Sequence, residues 1–420
     1  MLPGITIHAM ADGGQTPSAQ RIGASAILSY VGGLITPAPR LVGFAISEGR
    51  RARVALKEPS QDSAAIPPLR LTPSLLALAA LDEWTVAVMK TPGRMPTEAG
   101  FERVTAEISA AHELYDRRGW IADPPSFHAA PPPLVAPMIS RSRLPGVGFE
   151  HVSFESEYEP DPQDPGRERW LSYEANRTGH AWVLRHVGAE DRPWVVCLHA
   201  FGMGYPYVDL WGFRAMWLHR VLGLNVAFPI APLHGPRRIG RLSGAAFMTY
   251  NLVDIVHGFA QAVWDTRRVL GWIRAQGGTT VGLYGVSMGA HLSGILAGLD
   301  PDLSFVLSAF PTCNLTDLFI EHGPRNLRKR AEQHGLISEE AEDVHRLVSP
   351  LGLPAVVPTE RLFICAGLAD RMATPAQAHK LWLHWGMPRI AWFNSNHVAF
   401  MWRGEVGGFV QEALQTSGLL

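Results

Sequence analysis

Residues 279–291 read Thr279-Thr-Val-Gly-Leu-Tyr-Gly-Val-Ser-Met-Gly-Ala-His291. The apolar residues 281–284 are typical of a short buried strand, and residues 291–297 have the apolar spacing of a helix. Between them lies the pattern Gly-x-Ser-x-Gly, which in this setting is a sharp turn that exposes the serine hydroxyl at the top of a sheet. The sequence therefore predicts Ser287 as a nucleophile at the start of a helix, where the helix dipole favours developing negative charge.

Strand and helix patterns alternate from about residue 150 onward. The predicted strands are 152–158, 180–187, 194–198, 224–230, 281–284, 303–309, 361–366 and 389–393. A long amphipathic helix is predicted over residues 252–274. This alternation predicts an α/β fold with a mostly parallel sheet that is covered by helices on both faces. Because ligands bind at the carboxyl ends of the strands in such sheets, the residues after each strand are the candidates for function.

A glycine-rich loop, His199-Ala-Phe-Gly-Met-Gly204, follows the third predicted strand. Such a loop can point a backbone N–H at the carbonyl oxygen of a bound substrate. We predict an oxyanion hole made by the N–H groups of Phe201 and Met288, with His199 and Gly202 supporting the loop. The alternative is an ordinary turn between a strand and a helix.

An acid and a base follow later strands. Asp370 ends a Gly-x-x-Asp turn after the strand at 361–366, where it can hold a histidine in the right tautomer and stabilise its imidazolium form. The alternative role of Asp370 is to cap the following helix. His397 lies in a polar loop after the last strand, where a general base can reach Ser287. The sequence thus predicts a triad in the chain order Ser287, Asp370, His397.

These features together resemble the α/β-hydrolases, from about residue 150 onward. The resemblance rests on the turn around Ser287, the loop at 199–204, the turn at Asp370, the late His397 and their order along the chain. It implies an α/β-hydrolase fold, a Ser–His–Asp triad and acyl-enzyme chemistry on carboxylic esters, with a small-molecule acyl ester as substrate and no cofactor or metal. Ala200 stands where the loop of the family commonly has glycine.

Other functions of the same fold stay open. Acyltransferases, thioesterases and C–C hydrolases use the same triad, so an esterase is the favoured hypothesis among several. A serine nucleophile argues against the dehalogenase and epoxide hydrolase chemistries, which in this fold use aspartate. A non-catalytic binding protein is a further alternative, which the ordered triad disfavours.

The first 145 residues have a helical pattern. One helix begins at Thr72-Pro73, and a second begins at Thr97 and ends near Gly119. The apolar stripe predicted for the first helix consists of Leu75, Leu76, Leu78, Leu81 and Trp84. Neither helix carries a cluster of chemically useful side chains. For the apolar segment at 24–46, which resembles two short helices around a turn, packing against the catalytic domain is favoured over a membrane-surface or lid role.

Prolines between residues 124 and 145 predict a linker. We therefore predict an N-terminal helical region with its linker at 1–145 and a catalytic domain at 146–420. The connection at about 311–355 is longer than a simple crossover between parallel strands requires, and we predict a cap-like insertion there.

The 420-residue sequence is 47% hydrophobic and 18% charged, with a formal net charge of −1. This composition is typical of a globular protein and gives no overall field that would attract nucleic acid. The three cysteines have neither a disulfide framework nor metal-ligand spacing, which favours a reducing compartment and a cytoplasmic location. Neither a secretory signal nor a membrane-spanning run is evident.

Overall fold

A computed structural model describes residues 37–57, 66–89, 96–188 and 192–420. Its strands are β1 Met138–Leu144, β2 Val147–Glu155, β3 Thr178–Leu184, β4 Trp194–Leu198, β5 Asn225–Pro229, β6 Val281–Val286, β7 Val306–Ala309, β8 Leu362–Gly367 and β9 Arg389–Phe393. They form one sheet in the order β1-β2-β3-β5-β4-β6-β7-β8-β9. The strands from β4 to β9 pair in parallel, and β1, β2 and β3 add to the sheet by antiparallel pairing.

The strand order determines where the candidate site lies. After β4 the chain steps outward to β5 and later returns to the other side of β4 as β6. The strands β4 and β6 are therefore neighbours, and Leu198 at the end of β4 pairs with Gly285. The loop after β4 consequently meets the sharp turn after β6 at the same edge of the sheet.

Helices cover the sheet on both sides. They are α1 Pro37–Lys57, α2 Pro73–Met89, α3 Glu98–Arg117, α4 Arg167–Leu171, α5 Pro206–Gly212, α6 Leu252–Ala275, α7 Met288–Ala297, α8 Leu315–His322, α9 Arg325–Gln333, α10 Glu339–Arg346, α11 Pro375–His384 and α12 Gly404–Thr416. One core holds residues of α3, α6, α7 and α11, and the other holds residues of α5 and α12. Successive residues of β4 alternate between the two cores, as expected for a strand that is buried on both faces.

The predicted fold class is confirmed: the chain has the mostly parallel, helix-covered sheet of an α/β-hydrolase fold. All eight predicted strands are present, and the long helix predicted over 252–274 is α6. One strand, β1, is absent from the prediction. It lies at the edge of the sheet between two prolines, and its side chains are mostly exposed, so it has no apolar alternation to reveal it.

The N-terminal helices pack on the rest of the protein. Helix α3 shares a core with α6, and α1 and α2 pack through Phe44, Leu75 and Ala79 against Leu368 and Ala369. The buried side of α2 differs from the predicted apolar stripe. The residues that it buries are Leu75, Ala79, Asp82, Glu83 and Val86, whereas the side chain of Trp84 is 56% exposed.

The boundary predicted near residue 145 falls in the turn between β1 and β2, two strands that pair with each other. The division into two domains stays a prediction.

Of the apolar segment at 24–46, residues 24–36 lie outside the described residues, and the remainder belongs to α1. No helix in the described part of the chain has the length and hydropathy that a membrane span needs.

Candidate active site

Ser287 occupies a strained turn between β6 and α7. Its backbone has φ 56° and ψ −115°, a positive-φ conformation that costs roughly 1–3 kcal/mol for a residue other than glycine. Neither flanking glycine leaves room for a side chain. A Cβ at Gly285 would collide with the carbonyl oxygen of Gly289, and a Cβ at Gly289 would collide with the carbonyl oxygen of Leu198. The backbone N–H of Ser287 donates to Ala309 O on β7 at 2.9 Å. Neighbouring strands therefore hold the turn in place.

The structure brings Ser287, Asp370 and His397 together at the ends of three strands. His397 Nε2 lies 2.9 Å from Ser287 Oγ, and His397 Nδ1 lies 2.7 Å from Asp370 Oδ2. The other carboxylate oxygen of Asp370 accepts the backbone N–H groups of Met372 and Ala373, each at 2.8 Å. Because an ionised carboxylate can only accept, His397 carries a proton on Nδ1 and offers its Nε2 lone pair to the serine hydroxyl. The arrangement can transfer a proton from Ser287 to His397.

The three side chains are shielded from water. Ser287 is 9% exposed, His397 6% and Asp370 1%. The ring of Phe310 lies edge-on to the imidazole of His397, with centroids 6.1 Å apart. Low local polarity strengthens the hydrogen bonds between these groups.

A buried carboxylate from α2 lies behind the histidine. Asp82 is fully buried, and its Oδ2 accepts the backbone N–H groups of His397 at 2.8 Å and Arg371 at 3.0 Å. Its Oδ1 accepts the side-chain amide of Asn396 at 2.7 Å and the N–H of Val398 at 3.2 Å. The sequence prediction that the N-terminal helices carry no cluster of chemically useful side chains did not single out this one buried carboxylate.

One sequence signal could have revealed Asp82. Positions 75, 79, 82 and 86 recur at helical spacing, and three of them are apolar. A carboxylate at the fourth position is expected to be buried, and a buried carboxylate needs hydrogen-bond donors. The pattern marks Asp82 as a residue with polar partners, although it does not indicate which partners they are.

The two carboxylates set the charge of the histidine. Burial alone lowers the pKa of His397, but the hydrogen-bonded Asp370 and the nearby Asp82 outweigh it and raise that pKa above its ordinary value. Burial also raises the pKa of Asp82 to about 7, and the neighbouring charge of Asp370 adds to the increase. The positive charge that His397 acquires when it takes a proton is therefore stabilised from two sides.

His199 links the loop after β4 to the loop after β5. Its Nε2 accepts the backbone N–H of Ala231 at 3.0 Å, so its other nitrogen, Nδ1, carries the proton and donates to Ala200 O at 2.9 Å. Burial lowers the pKa of His199 to about 4, which keeps the ring neutral. This single tautomer fixes the start of the glycine-rich loop.

The predicted oxyanion donors, Phe201 and Met288, follow the neighbouring strands β4 and β6. Met288 is the first residue of α7, so its N–H has no partner within the helix. Across the described residues, the N–H of Phe201 donates to no backbone oxygen. Gly202 has φ +81°, and the N–H of Gly204 donates to the buried Asp209 at 3.0 Å. The loop is thus held at both ends, and between them the N–H of Phe201 has no backbone acceptor in the part of the chain that the structure describes.

Two further histidines near the turn have structural partners. His291 is fully buried between Thr312 O and Val348 O, which lie 3.0 and 2.6 Å from its two ring nitrogens. His234 places Nδ1 2.8 Å from Pro232 O. Over the ranges that the structure describes, no group of three or more His, Cys, Asp or Glu side chains is arranged to hold a metal ion.

Comparison with known proteins identifies close relatives. No family model matches the chain. Two Mycobacterium tuberculosis proteins, described as uncharacterized protein MT2702 (strain CDC 1551 / Oshkosh) and uncharacterized protein Rv2627c (strain ATCC 25618 / H37Rv), are each 40% identical to it over 358 residues. The matches cover 84% of this chain and 85% of each relative. Among solved structures, an acetyl xylan esterase from Paenibacillus sp. R4 is similar with a TM-score of 0.48 and 15% identity, covering 78% of this chain and 98% of that one.

Proposed function

We propose a serine hydrolase function on the premise that this chain belongs to the α/β-hydrolase superfamily and to one family with the two M. tuberculosis proteins. The reaction that we propose is cleavage of carboxylic esters of small molecules through an acyl-enzyme. The observation that carries the proposal is the hydrogen-bonded series from Ser287 Oγ through His397 to Asp370. A nucleophile, a base and an orienting acid within hydrogen-bond reach are the minimum for this chemistry.

In the first half of the reaction Ser287 Oγ attacks the carbonyl carbon of the ester as its proton moves to His397 Nε2. Asp370 keeps Nδ1–H in place and stabilises the imidazolium that forms. The carbonyl oxygen becomes an oxyanion, which the N–H groups of Phe201 and Met288 stabilise. When the tetrahedral intermediate collapses, His397 returns the proton to the leaving alkoxide. An alcohol departs and the acyl group stays on Ser287.

In the second half water replaces the alcohol. His397 takes a proton from the water as its oxygen attacks the acyl carbon, and the same two N–H groups stabilise the second oxyanion. His397 then protonates Ser287 Oγ as the carboxylic acid leaves. All atoms and protons balance without a cofactor, so our proposal includes none.

Supporting parts of the molecule belong to the same proposal. We assign the loop-holding role to His199 and Gly202, and a cap role to the helices α8, α9 and α10 between β7 and β8. The three cysteines are all free and buried, which supports a location in the reducing cytoplasm. Residues 1–145 and 146–420 remain our proposed division into an N-terminal region and a catalytic domain.

A burst experiment tests the function. We expect p-nitrophenyl esters to release about one equivalent of p-nitrophenol per enzyme before the steady state, because acylation of Ser287 releases the phenol ahead of deacylation. Stopped-flow absorbance on esters of increasing acyl length measures the burst and the chain-length preference. Acyl-CoA and amide substrates serve as comparisons. Turnover of acyl-CoA without turnover of the esters would identify a thioesterase and overturn the ester assignment.

The pH dependence of kcat/KM should report the protonation of His397. Only the neutral ring can accept the proton of Ser287, so the rate should fall as pH decreases through the pKa of His397. Since Asp370 and Asp82 raise that pKa, we expect the half-maximal rate above the ordinary histidine value of about 6.5. Rates measured between pH 5 and pH 9 check this. A midpoint below pH 6 would contradict the proposed base.

A further inference from the structure

Asp82 joins the two loops that carry the catalytic acid and base. Its Oδ2 accepts N–H groups from Arg371, which directly follows Asp370, and from His397 itself. These loops follow β8 and β9 and are otherwise far apart in sequence. Their relative position is fixed by the ring hydrogen bond between His397 and Asp370, by the backbone hydrogen bond from Ala369 N–H to Ser395 O at 3.0 Å, and by the bridge through Asp82.

The side chain of Asn396 reinforces the bridge. Its amide nitrogen donates to Asp82 Oδ1 at 2.7 Å and to Leu78 O at 2.8 Å, and its oxygen accepts the N–H of Ala399 at 3.0 Å. The loop around His397 is thus fastened on both sides of the histidine to one stretch of α2. A shift of this stretch would move the imidazole relative to Ser287.

Helix α2 is itself firmly attached at this point. Glu83, the next residue, is buried and pairs with Arg371 at 3.0 Å and with Arg40 of α1 at 2.9 Å. The guanidinium of Arg371 also lies over the ring of Phe44, 4.8 Å from its centroid. The contact between α2 and the acid loop therefore combines ion pairs, a cation–π contact and apolar packing.

The chemistry at this contact is specific to a carboxylate. An apolar residue at position 82 could pack α2 on the same surface, but it would leave the buried N–H groups of Arg371 and His397 without an acceptor. Burial and the nearby Asp370 oppose ionisation of Asp82 and raise its pKa, and the N–H groups of Arg371 and His397 offset part of this cost. The arrangement orders the loops and adds negative charge near the imidazole.

We propose that Asp82 is a positioning residue for the Asp370–His397 pair, so that α2 of the N-terminal region completes the active site. This inference rests on the proposed function. Asp82 does not touch the substrate: it holds the backbone of the base and of the residue after the acid. The N-terminal region then contributes a residue that positions the catalytic acid and base.

Asp82→Asn is the direct test. An asparagine side chain has one acceptor oxygen, and its NH₂ group would face two N–H donors that need an acceptor. The histidine loop should therefore shift, and turnover should fall about 10²-fold. Loss of the charge should also lower the pKa of His397 and move the acid limb of the pH profile to lower pH. The charged groups around position 82 are Asp370, Arg371, His397 and Glu83, with Arg40 and Glu321 beyond them.

Glu83→Gln is the matched control, because Glu83 is buried on the same helix and pairs with Arg371 of the same loop but has no hydrogen bond or ion pair with His397. It should leave the acid limb at its wild-type pH. If both variants lose activity only in proportion to their thermal stability, with unmoved acid limbs, Asp82 is merely structural and the inference fails. Wild-type protein without ester turnover would instead overturn the proposed function.

A second variant covers the case in which Asp82→Asn does not fold. Asn396→Ser keeps the charge of Asp82 and removes the side-chain bridge to the histidine loop. We expect a fluorophosphonate to label this variant more slowly than the wild type. The acid limb of its pH profile should stay at the wild-type pH, and its circular dichroism spectrum should match that of the wild type. Labelling at the wild-type rate would show that the bridge does not position His397, and would contradict the inference.

Discussion

Ser287→Ala is expected to lower ester turnover by about 10⁶-fold, the loss that follows removal of a triad nucleophile. Ser287 Oγ is the atom that forms the acyl-enzyme, and alanine leaves His397 without the hydroxyl that it accepts at 2.9 Å. Covalent labelling by a fluorophosphonate should disappear as well. Labelling is measured by fluorescence after electrophoresis, and intact-mass spectrometry should show one added phosphonate group on the wild type and none on Ser287→Ala.

Ser293→Ala is the matched control for this variant. Ser293 lies on the same helix, α7, and is fully buried, but its Oγ donates to Ala290 O at 2.9 Å and contacts Ser308 rather than a histidine. It should label at close to the wild-type rate. Equal labelling of Ser287→Ala and wild type would mean that another residue is the nucleophile. Failure of the folded wild type to label or to hydrolyse any acyl substrate would favour the non-catalytic binding protein.

The meeting of Ser287, Asp370 and His397 could be predicted from the sequence because it follows from local patterns. Each of Ser287, Asp370 and His397 lies in the turn or loop that follows a strand, and the apolar residues of that strand identify it. Parallel strands bring their carboxyl ends to one edge of the sheet, so residues that are distant in the chain must meet there. The alternation of strands and helices was enough to predict that meeting without knowledge of the strand order.

Asp82 could not be assigned in the same way, because its partners depend on how α2 packs. The four groups that donate to it come from residues 371 and 396–398, and no spacing in the sequence relates them to position 82. The exposed Trp84 shows the same limit, since an aromatic residue in an apolar helix was expected to face inward. Which side of a mostly apolar helix is buried depends on the surface that it meets.

Asp370→Asn is expected to lower turnover by about 10⁴-fold while leaving the fold intact. The N–H groups of Met372 and Ala373 both donate to Asp370 Oδ1, and they would orient the new side chain with its carbonyl oxygen toward them. The NH₂ group of asparagine would then face His397 Nδ1. That nitrogen would have to accept, so the ring proton would move to Nε2, where it prevents the ring from accepting the proton of Ser287.

Asp300→Asn provides a control for Asp370→Asn, because Asp300 is also a buried carboxylate but pairs with Arg274 at 2.9 Å. The turnover of Asp300→Asn should match that of the wild type under conditions in which both proteins are folded. The pH profile distinguishes a catalytic effect from a loss of stability. Loss of the Asp370 charge should lower the pKa of His397 and move the acid limb of the profile to lower pH. Wild-type turnover in Asp370→Asn would show that another acid orients the histidine. Asp82 could not take that role without rearrangement, since it binds the backbone of His397 and not its ring.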